Sequence, residues 1–486
     1  MAGLIGLLVV AVSNDEASAV EGCAGVESDF NGDGVRDTAI ADPEAAVGGK
    51  ADAGVVTVVY GGAAGTIQLH QDLAFVPGGA EAGDQFGHAL AQADLNGDGC
   101  SDLIVGAPYE DPGPAVDAGA VYVVYGAPGG LGTGPASTSY SQSQTRVPGE
   151  SETADLFGYA VAAGRSGAGE PYLAIGTPGK DVGGHRDAGA FFYVRGSVIA
   201  QVDQGSPGVP GGVEPDDRFG ASLAGTPGHL AVGGPGEAIG TEAFAGAVWL
   251  FGHTVDSAGR PAPLSAPNQT NPPVSAAEAG DRYGTSLAMV PVPDSSGTYK
   301  GGSYLVVGAP GEGSGSTASV GSASVYRVTA SGEVSVLVAV LNQSGEGTHE
   351  SLDPGDFFAQ ELAAAVQGTT LRVAVGVPGE ESSAEHLDKG GVQIFAIEAD
   401  GTLTDEWLDP GWGIPGAPAH QMFAGTSLAA TPDSFLVGVA YGPGDAPGAV
   451  YGYPWTVASG GAPTVTYRPG EGGIPAGGKA FGAEIR

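Results

Sequence analysis

Basic residues are scarce. The 486-residue chain has 17 Lys and Arg against 55 Asp and Glu, a formal net charge of −38. Such a field repels polyanions, which excludes nucleic acid and anionic membrane surfaces as partners. Most of the carboxylates serve solubility, and a few are candidates for holding cations. Cysteine is scarcer still: Cys23 and Cys100 are the whole supply, so no more than one intrachain disulfide can form. An even pair suits an exported protein with one bridge, and two unrelated buried thiols are the alternative. After Ala19 no apolar run approaches the ~20 residues that span a bilayer, so no transmembrane segment is expected there. Helical periodicity is missing throughout. So are G-x-S-x-G, H-E-x-x-H, the P-loop, and a Gly-x-Gly-x-x-Gly in a βαβ setting. No enzyme class is announced.

The eight histidines are scattered, with His88 after a Phe-Gly pair and His185 in the loop "GKDVGGHRD". Both read as filler. The acid pairs Glu110-Asp111 and Glu380-Glu381 read as solvated loops in an acidic protein, although paired acids could serve a glycosidase.

Glycine and proline are abundant, at 88 and 35 residues, about a quarter of the chain, while 42% is hydrophobic. That mixture is low complexity if aperiodic and a turn-rich β core if periodic. The chain is periodic. "GDQFGHAL" (Gly83 to Leu90) recurs as "ADLFGYAV" from Ala154, "DDRFGASL" from Asp216 and "GDRYGTSL" from Gly280. Weaker copies are "GDFFAQEL" from Gly355, "HQMFAGTSL" from His420 and "KAFGAEI" from Lys479. Their aromatic positions are Phe86, Phe157, Phe219, Tyr283, Phe358, Phe423 and Phe481, at intervals of about 58 to 75 residues. A second signature follows the first six: "VGAP" at Val105, "IGTP" at Ile175, "VGGP" at Val232, "VGAP" at Val307, "VGVP" at Val375 and "VGVAYGP" at Val437. A third is a small pair leading into an apolar strand, as in "DAGAVYVVYG" from Asp117.

Each unit therefore holds three or four short β-branched or aromatic runs between Gly/Pro turns. Equal β units at this period predict an all-β fold, a seven-bladed β-propeller. The first unit has no Phe-Gly strand before it, and "KAFGAEIR" is a Phe-Gly strand with nothing after it. Joined, they make one unit, closing the ring and removing the open sheet edge. The C-terminal strand is thus expected to enter blade 1, which spans about residues 24–80 plus 479–486. Residues 1–19, "MAGLIGLLVVAVSNDEASA", read as a signal peptide with an apolar core at Gly3 to Val12 and a small-x-small site at Ala17 to Ala19. Residues 20–486 read as a single propeller.

Phe-Gly, then Asp-x-Asn-x-Asp-Gly-x-x-Asp, then Gly-Ala-Pro, in that order, resembles the FG-GAP repeat family. That family is the seven-bladed propeller of integrin α-subunits and of many secreted bacterial proteins. The resemblance covers Ser28 to Arg486. Departures are Ala359 and Ala424 in place of the Phe-Gly glycine, and Asp42 inside the first Gly-Ala-Pro equivalent.

Two stretches carry metal-ligand spacing. Asp94, Asn96, Asp98, Cys100 and Asp102 take positions 1, 3, 5, 7 and 9 of a calcium-type loop, with Gly99 at 6 for the sharp turn. Asp29, Asn31, Asp33, Val35 and Asp37 match them, with Gly34 at 6. Position 7, Cys100 or Val35, would contribute its backbone carbonyl. An EF-hand closes with Glu at 12, and here that place is Val105 or Ile40, so Asp102 and Asp37 are expected to close the shell. Hard oxygen donors favour Ca2+, and two sites are expected; the alternative is a metal-free turn whose Asp and Asn cap their own backbone. In the resembling family this loop joins the first two strands of a blade and binds calcium. Flanking strands leave no helix pair to open, so the loops should clamp rather than sense. A Cys23–Cys100 bridge would tie blades 1 and 2. Blade 3 fails the pattern, with Ser166, Ala168 and Tyr172 in the ligand register.

The expected function is a secreted, calcium-binding, monomeric binding or adhesion module, not an enzyme. Its binding surface would be rimmed by loops such as Tyr109 to Gly119 and Gly179 to Gly189. The resemblance implies extracellular protein or glycan ligands. The rivals are an exported polysaccharide hydrolase or lyase using loop carboxylates, and a structural cell-envelope protein.

Overall fold

The computed structural model describes residues 23–62, 65–293, 299–343, 352–381, 387–444 and 446–486, so the signal-peptide reading of residues 1–19 lies outside the described residues. The described residues form strands and turns without a helix, arranged as seven sheets. Blade 2 shows the pattern: Ala89–Ala93, Asp102–Ala107, Ala120–Val124 and Thr138–Tyr140 pair antiparallel in sequence order from the ring axis outward. Every residue of its two middle strands is buried, because neighbouring blades cover both faces of the sheet. This explains why "DLIVGA" and "AVYVV" read as continuous apolar runs rather than alternating ones. The outer strand is only half buried. Inner strands of successive blades lie side by side around the whole ring.

The three repeated signatures are one device, the seam between blades. A Cβ on Gly119 would lie 2.3 Å from the Phe157 carbonyl oxygen, and one on Gly106 would lie 2.2 Å from that of Gly158. The Ala-Gly and Gly-Ala-Pro glycines of one blade are thus the floor on which the next blade's Phe-Gly strand rests. The aromatic ring that follows is buried: Phe86, Phe157, Phe219, Tyr283, Phe358 and Phe481 are each no more than 3% exposed. Blade 7 corrects one reading. The backbone that meets Gly390 belongs to Ala424, and Gly425 takes the place of the Phe-Gly glycine against Gly376. The glycine is therefore present one residue later, the aromatic is replaced by Ala424, and a bulge between Ala424 and Leu428 absorbs the extra residue. Phe423 instead lies half-buried against Tyr441, ring centroids 6.1 Å apart.

Ring closure is as the ends of the chain imply. Glu484–Ile485 forms the inner strand of blade 1, with Ile485 opposite Ile40 and Glu484 opposite Ala41. Asp42, the misfit in the Gly-Ala-Pro series, accepts hydrogen bonds from the backbone N–H groups of Lys479 (2.7 Å) and Ala480 (3.0 Å). Phe481, Ile485 and Ile474 pack with Ile40 of blade 1 and Leu436 and Val450 of blade 7. A cavity of about 580 Å³ opens beside this joint. It lies where Thr57 and Ala45 stand in the register that Tyr122 and Glu110 fill in blade 2.

Candidate metal loops and the opposite face

An antiparallel meander sends the connection between strands one and two to one face of the ring and the connection after Gly-Ala-Pro to the other. Both acidic loops lie on the first face: 94–101 joins the first two strands of blade 2, and 29–37 leads into Thr38–Asp42 of blade 1. Their shapes match. Asp29 accepts from the backbone N–H of Gly32 (2.7 Å) and Gly34 (2.8 Å), and Asp94 from Gly97 (2.6 Å) and Gly99 (3.1 Å). Position 3 accepts from the N–H of position 5, and position 5 from that of position 7, in both loops. Position 9 anchors each turn. Asp37 accepts from Phe30 N–H and Gly61 N–H, both at 2.7 Å, and Asp102 from Leu95 N–H (2.8 Å) and Gly126 N–H (3.0 Å).

Burial divides the ligand set. Asp29, Asp37, Cys100 and Asp102 are buried, Asn31 and Asp94 are half-buried, and Asp33, Val35, Asn96 and Asp98 are exposed. Burial pushes the Asp37 carboxyl up to about 6, with the charges of Asp29 and Asp33 adding to the rise after its backbone hydrogen bonds oppose it. Asp102 rises to about 7 for the same reasons, with Asp98 and Asp94 nearby. A bound cation would offset this cost. The residues fit calcium in donor chemistry, in spacing and in the turn shape that the 1-3-5 hydrogen bonds impose. Among the described residues, however, the loop carboxylates are not drawn within 4.8 Å of one another as a trio. The trio that is, Cys23, Asp98 and Cys100, is no thiolate site because its sulfurs are joined.

That bond is the Cys23–Cys100 disulfide, with Cα atoms 4.7 Å apart. It fastens the two loops into one body. Ser101 N–H donates to the Asp29 carbonyl (2.9 Å), and Gly25 N–H donates to the Gly99 carbonyl (2.9 Å). Gly32 leaves room for the two sulfurs, which a Cβ there would meet at 3.2 and 3.4 Å. Blade 3 carries no acidic loop, and its Arg165 reaches back to Asp94 of the blade 2 loop at 2.8 Å.

On the opposite face, the acids expected to be solvated turn inward. Glu110 accepts from Gln71, which also bonds the Tyr122 hydroxyl (2.9 Å), and Glu380 is 1% exposed beside Gln343. His88 packs at a tilt against Tyr159 (4.8 Å) and edge-on against Tyr109 (5.9 Å), and burial pushes its pKa down to about 4, so it is neutral at neutral pH. His185 closes a small turn with Val182. Glu361, just before the inner strand Leu362–Gln367, and Glu484, in the inner strand of blade 1, are pushed up by burial to about 8 and about 7, and Arg486 offsets both. Two features were missed in the sequence. One is a glutamine at the end of each of five outer strands; the other is an aspartate two residues before each of five aromatics. Their recurrence was the available signal.

The FG-GAP repeat pattern matches residues 86–124, the first three strands of blade 2. Integrin alpha-PS5 of Drosophila melanogaster is 33% identical over 159 residues, 32% of this chain and 15% of the relative. Phosphatidylinositol-glycan-specific phospholipase D of Bos taurus is 31% identical over 180 residues, covering 36% and 21%. Integrin alpha pat-2 of Caenorhabditis briggsae is 43% identical over 95 residues, covering 19% and 7%. The chain thus spans no more than about a fifth of the length of these relatives. Repeat motif, blade count and relatives agree: the chain carries an FG-GAP repeat, is similar to integrin α-subunits over part of its length, and folds as a seven-bladed β-propeller.

Proposed function

We propose that this propeller is an exported, calcium-clamped binding module for an extracellular protein or glycan, and not an enzyme. The observation that carries the reading is the division of labour between faces. One face holds two matched oxygen-donor loops riveted by a disulfide, and the other carries loops of differing length and polarity on a rigid ring. Asp29, Asn31, Asp33 and Asp37, with the Val35 carbonyl, would hold one ion; Asp94, Asn96, Asp98 and Asp102, with the Cys100 carbonyl, would hold the other. Calcium supplies charge neutralisation there, linking each loop's two ends. The disulfide supports an oxidising compartment. The test is calcium titration by calorimetry, followed by glycan-array and cell-surface capture with parallel hydrolytic assays. Two ions per chain and a retained ligand without turnover are expected. Turnover abolished by Glu361→Gln or Glu484→Gln, with folding intact, would favour the exported hydrolase or lyase instead. No ligand from any surface would favour an envelope structural role.

A further inference from the structure

The entries to the blades carry a repeated cluster that the ligand loops do not use. Five outer strands are followed by a buried glutamine: Gln71, Gln142, Gln204, Gln269 and Gln343. Two residues before each next aromatic stands a buried aspartate: Asp84, Asp155, Asp217, Asp281 and Asp356. Each accepts a hydrogen bond from the backbone N–H three residues earlier, at 2.5 to 2.8 Å. Two residues beyond the proline of Gly-Ala-Pro, the same register holds Glu110, Lys180, Glu237, Glu312 and Glu380.

Blade 3 is the informative member. There Lys180, 5% exposed, places its ammonium on the Asp155 carboxylate (3.1 Å), the Glu152 carboxylate (2.5 Å) and the Glu150 carbonyl (2.7 Å). The cluster is therefore built around one positive charge. In blades 2, 4 and 5 a second carboxyl replaces that lysine. Among the described residues, the groups facing these pairs add no compensating cation. Glu81 and Asp111 face Asp84 and Glu110, with Gln71 and Tyr122 as neutral partners. Glu214 and Asp216 face Asp217 and Glu237, with Gln204 as neutral partner and Arg186 engaged outside by Asp216 and Asp187. Glu278 and Glu242 face Asp281 and Glu312, with Gln269 as neutral partner. A half-buried glutamate close to a buried aspartate, without a cation, disfavours ionisation of both carboxyls.

We infer that the carboxyl pairs Asp84/Glu110, Asp217/Glu237 and Asp281/Glu312 each retain one proton in the folded chain, supplying the neutralisation that Lys180 supplies at the same register in blade 3. Each pair is a proton-binding site that locks a blade to the connection entering it. Burial and the neighbouring carboxylates push Glu110 and Glu237 up to about 7 and Glu312 up to about 8. A carboxyl raised on folding contributes stability fully present below its unfolded pKa of about 4.5, and that stability is lost as pH rises through the folded value. The affected window is thus about pH 4.5 to 8. The pairs act as a ratchet that tightens on mild acidification, toward the sequence pI of about 4.2.

The experiment compares the full chain with a Glu110→Gln/Glu237→Gln/Glu312→Gln variant in EDTA, since glutamine mimics the protonated acid. A difference is needed because half-buried His88 and buried His229 and His253 titrate in the opposite sense. Equal Tm at pH 5 and a higher Tm for the variant at pH 8 are expected. In the window, each lost proton site should remove up to a tenfold change in unfolding constant per pH unit. The parent should also take up about three more protons on folding at pH 6.5 than the variant does, by pH-stat. A difference in Tm that is independent of pH, or equal proton uptake, overturns the inference. So does calcium raising Tm at pH 8 in an Asp33→Ala/Asp98→Ala background, which would put a metal ion in the pairs. Glu237→Lys, copying blade 3, should fold and remove the pH dependence of one pair; unchanged dependence counts against it.

Discussion

Two seams on the same face of the ring are fastened in opposite ways. Between blades 1 and 2 the fastening is ionic and covalent: nine-residue acidic loops, a disulfide, and Arg165 reaching in from blade 3. Around blade 4 the connection between strands Ser222–Gly225 and His229–Gly234 is only Thr226 to Gly228, and the fastening is neutral. His229 Nδ1 bonds Ser303 of blade 5 (2.9 Å), whose hydroxyl also meets Thr226 (2.8 Å). His253 Nε2–H donates to the Thr226 carbonyl (2.8 Å), which leaves Nδ1 to accept from Tyr193 of blade 3 (2.8 Å). Burial holds both histidines below their ordinary pKa, and so neutral. A propeller needs each blade tied to its neighbours, but not by one chemistry. Where the turn is long and acidic, a crosslink does it, beside the proposed calcium clamp; where the turn is short, a buried polar network does.

Deleting residues 479–486 attacks both seams at once by opening the ring. The lost burial of Phe481 and Ile485 alone is worth about 5 kcal/mol or more, and the truncated chain should melt without the parent's cooperativity. A truncated chain as stable as the parent would refute closure. Breaking the ionic seam with Cys23→Ser should cost about 2–5 kcal/mol, with faster hydrogen exchange confined to blades 1 and 2. Equal loss of protection in blade 4 would show that the seams are not independent.

Next is the proposed calcium clamp. Removal by EDTA, or Asp98→Ala, should lower stability by about 2.7 kcal/mol per site at a free calcium of 100 Kd, read as a Tm shift; overlapping melts with and without calcium would remove the clamp. Ser303→Ala breaks the neutral seam by leaving a buried histidine nitrogen unpaired, at about 1–3 kcal/mol. That seam also has the opposite pH sense. A base depressed on folding contributes stability present above its ordinary value of about 6.5 and lost as pH falls, so His229→Gln should reduce the parent's sensitivity to acid. Smallest is Arg165→Ala. It is a part-exposed pair worth less than about 1 kcal/mol, but its loss should tighten calcium at the blade 2 loop and leave the blade 1 loop unchanged. Calorimetry reads both.

The ring itself was legible in the sequence because the seam demands the same small and aromatic residues at every blade, so steric necessity repeats as text. Closure was legible for the same reason. Blade 7 was misread by one residue because Phe423 matches by type, while the backbone position belongs to Ala424, and a bulge leaves no mark in residue identity. The ligand positions stood out by their spacing, but not their burial, since Asp37 and Asp33 look alike in a string. Glu110 and Glu380 read as solvated because their partners, Gln71 and Gln343, come from the preceding blade. The neutral seam was invisible: His229, Ser303 and Tyr193 lie far apart in sequence and recur nowhere.

The inner strand of blade 1 has a consequence for the order of assembly. Glu484 and Ile485 pair with a strand made more than 440 residues earlier. Until they arrive, an elongating chain has six blades that can stack and a first blade with an unpaired edge at Thr38–Asp42. The Cys23–Cys100 bond can form as soon as blade 2 emerges, so the first blade has a tether long before it has a complete sheet. The edge at Thr38–Asp42 therefore stays open until residues 484–485 have been made.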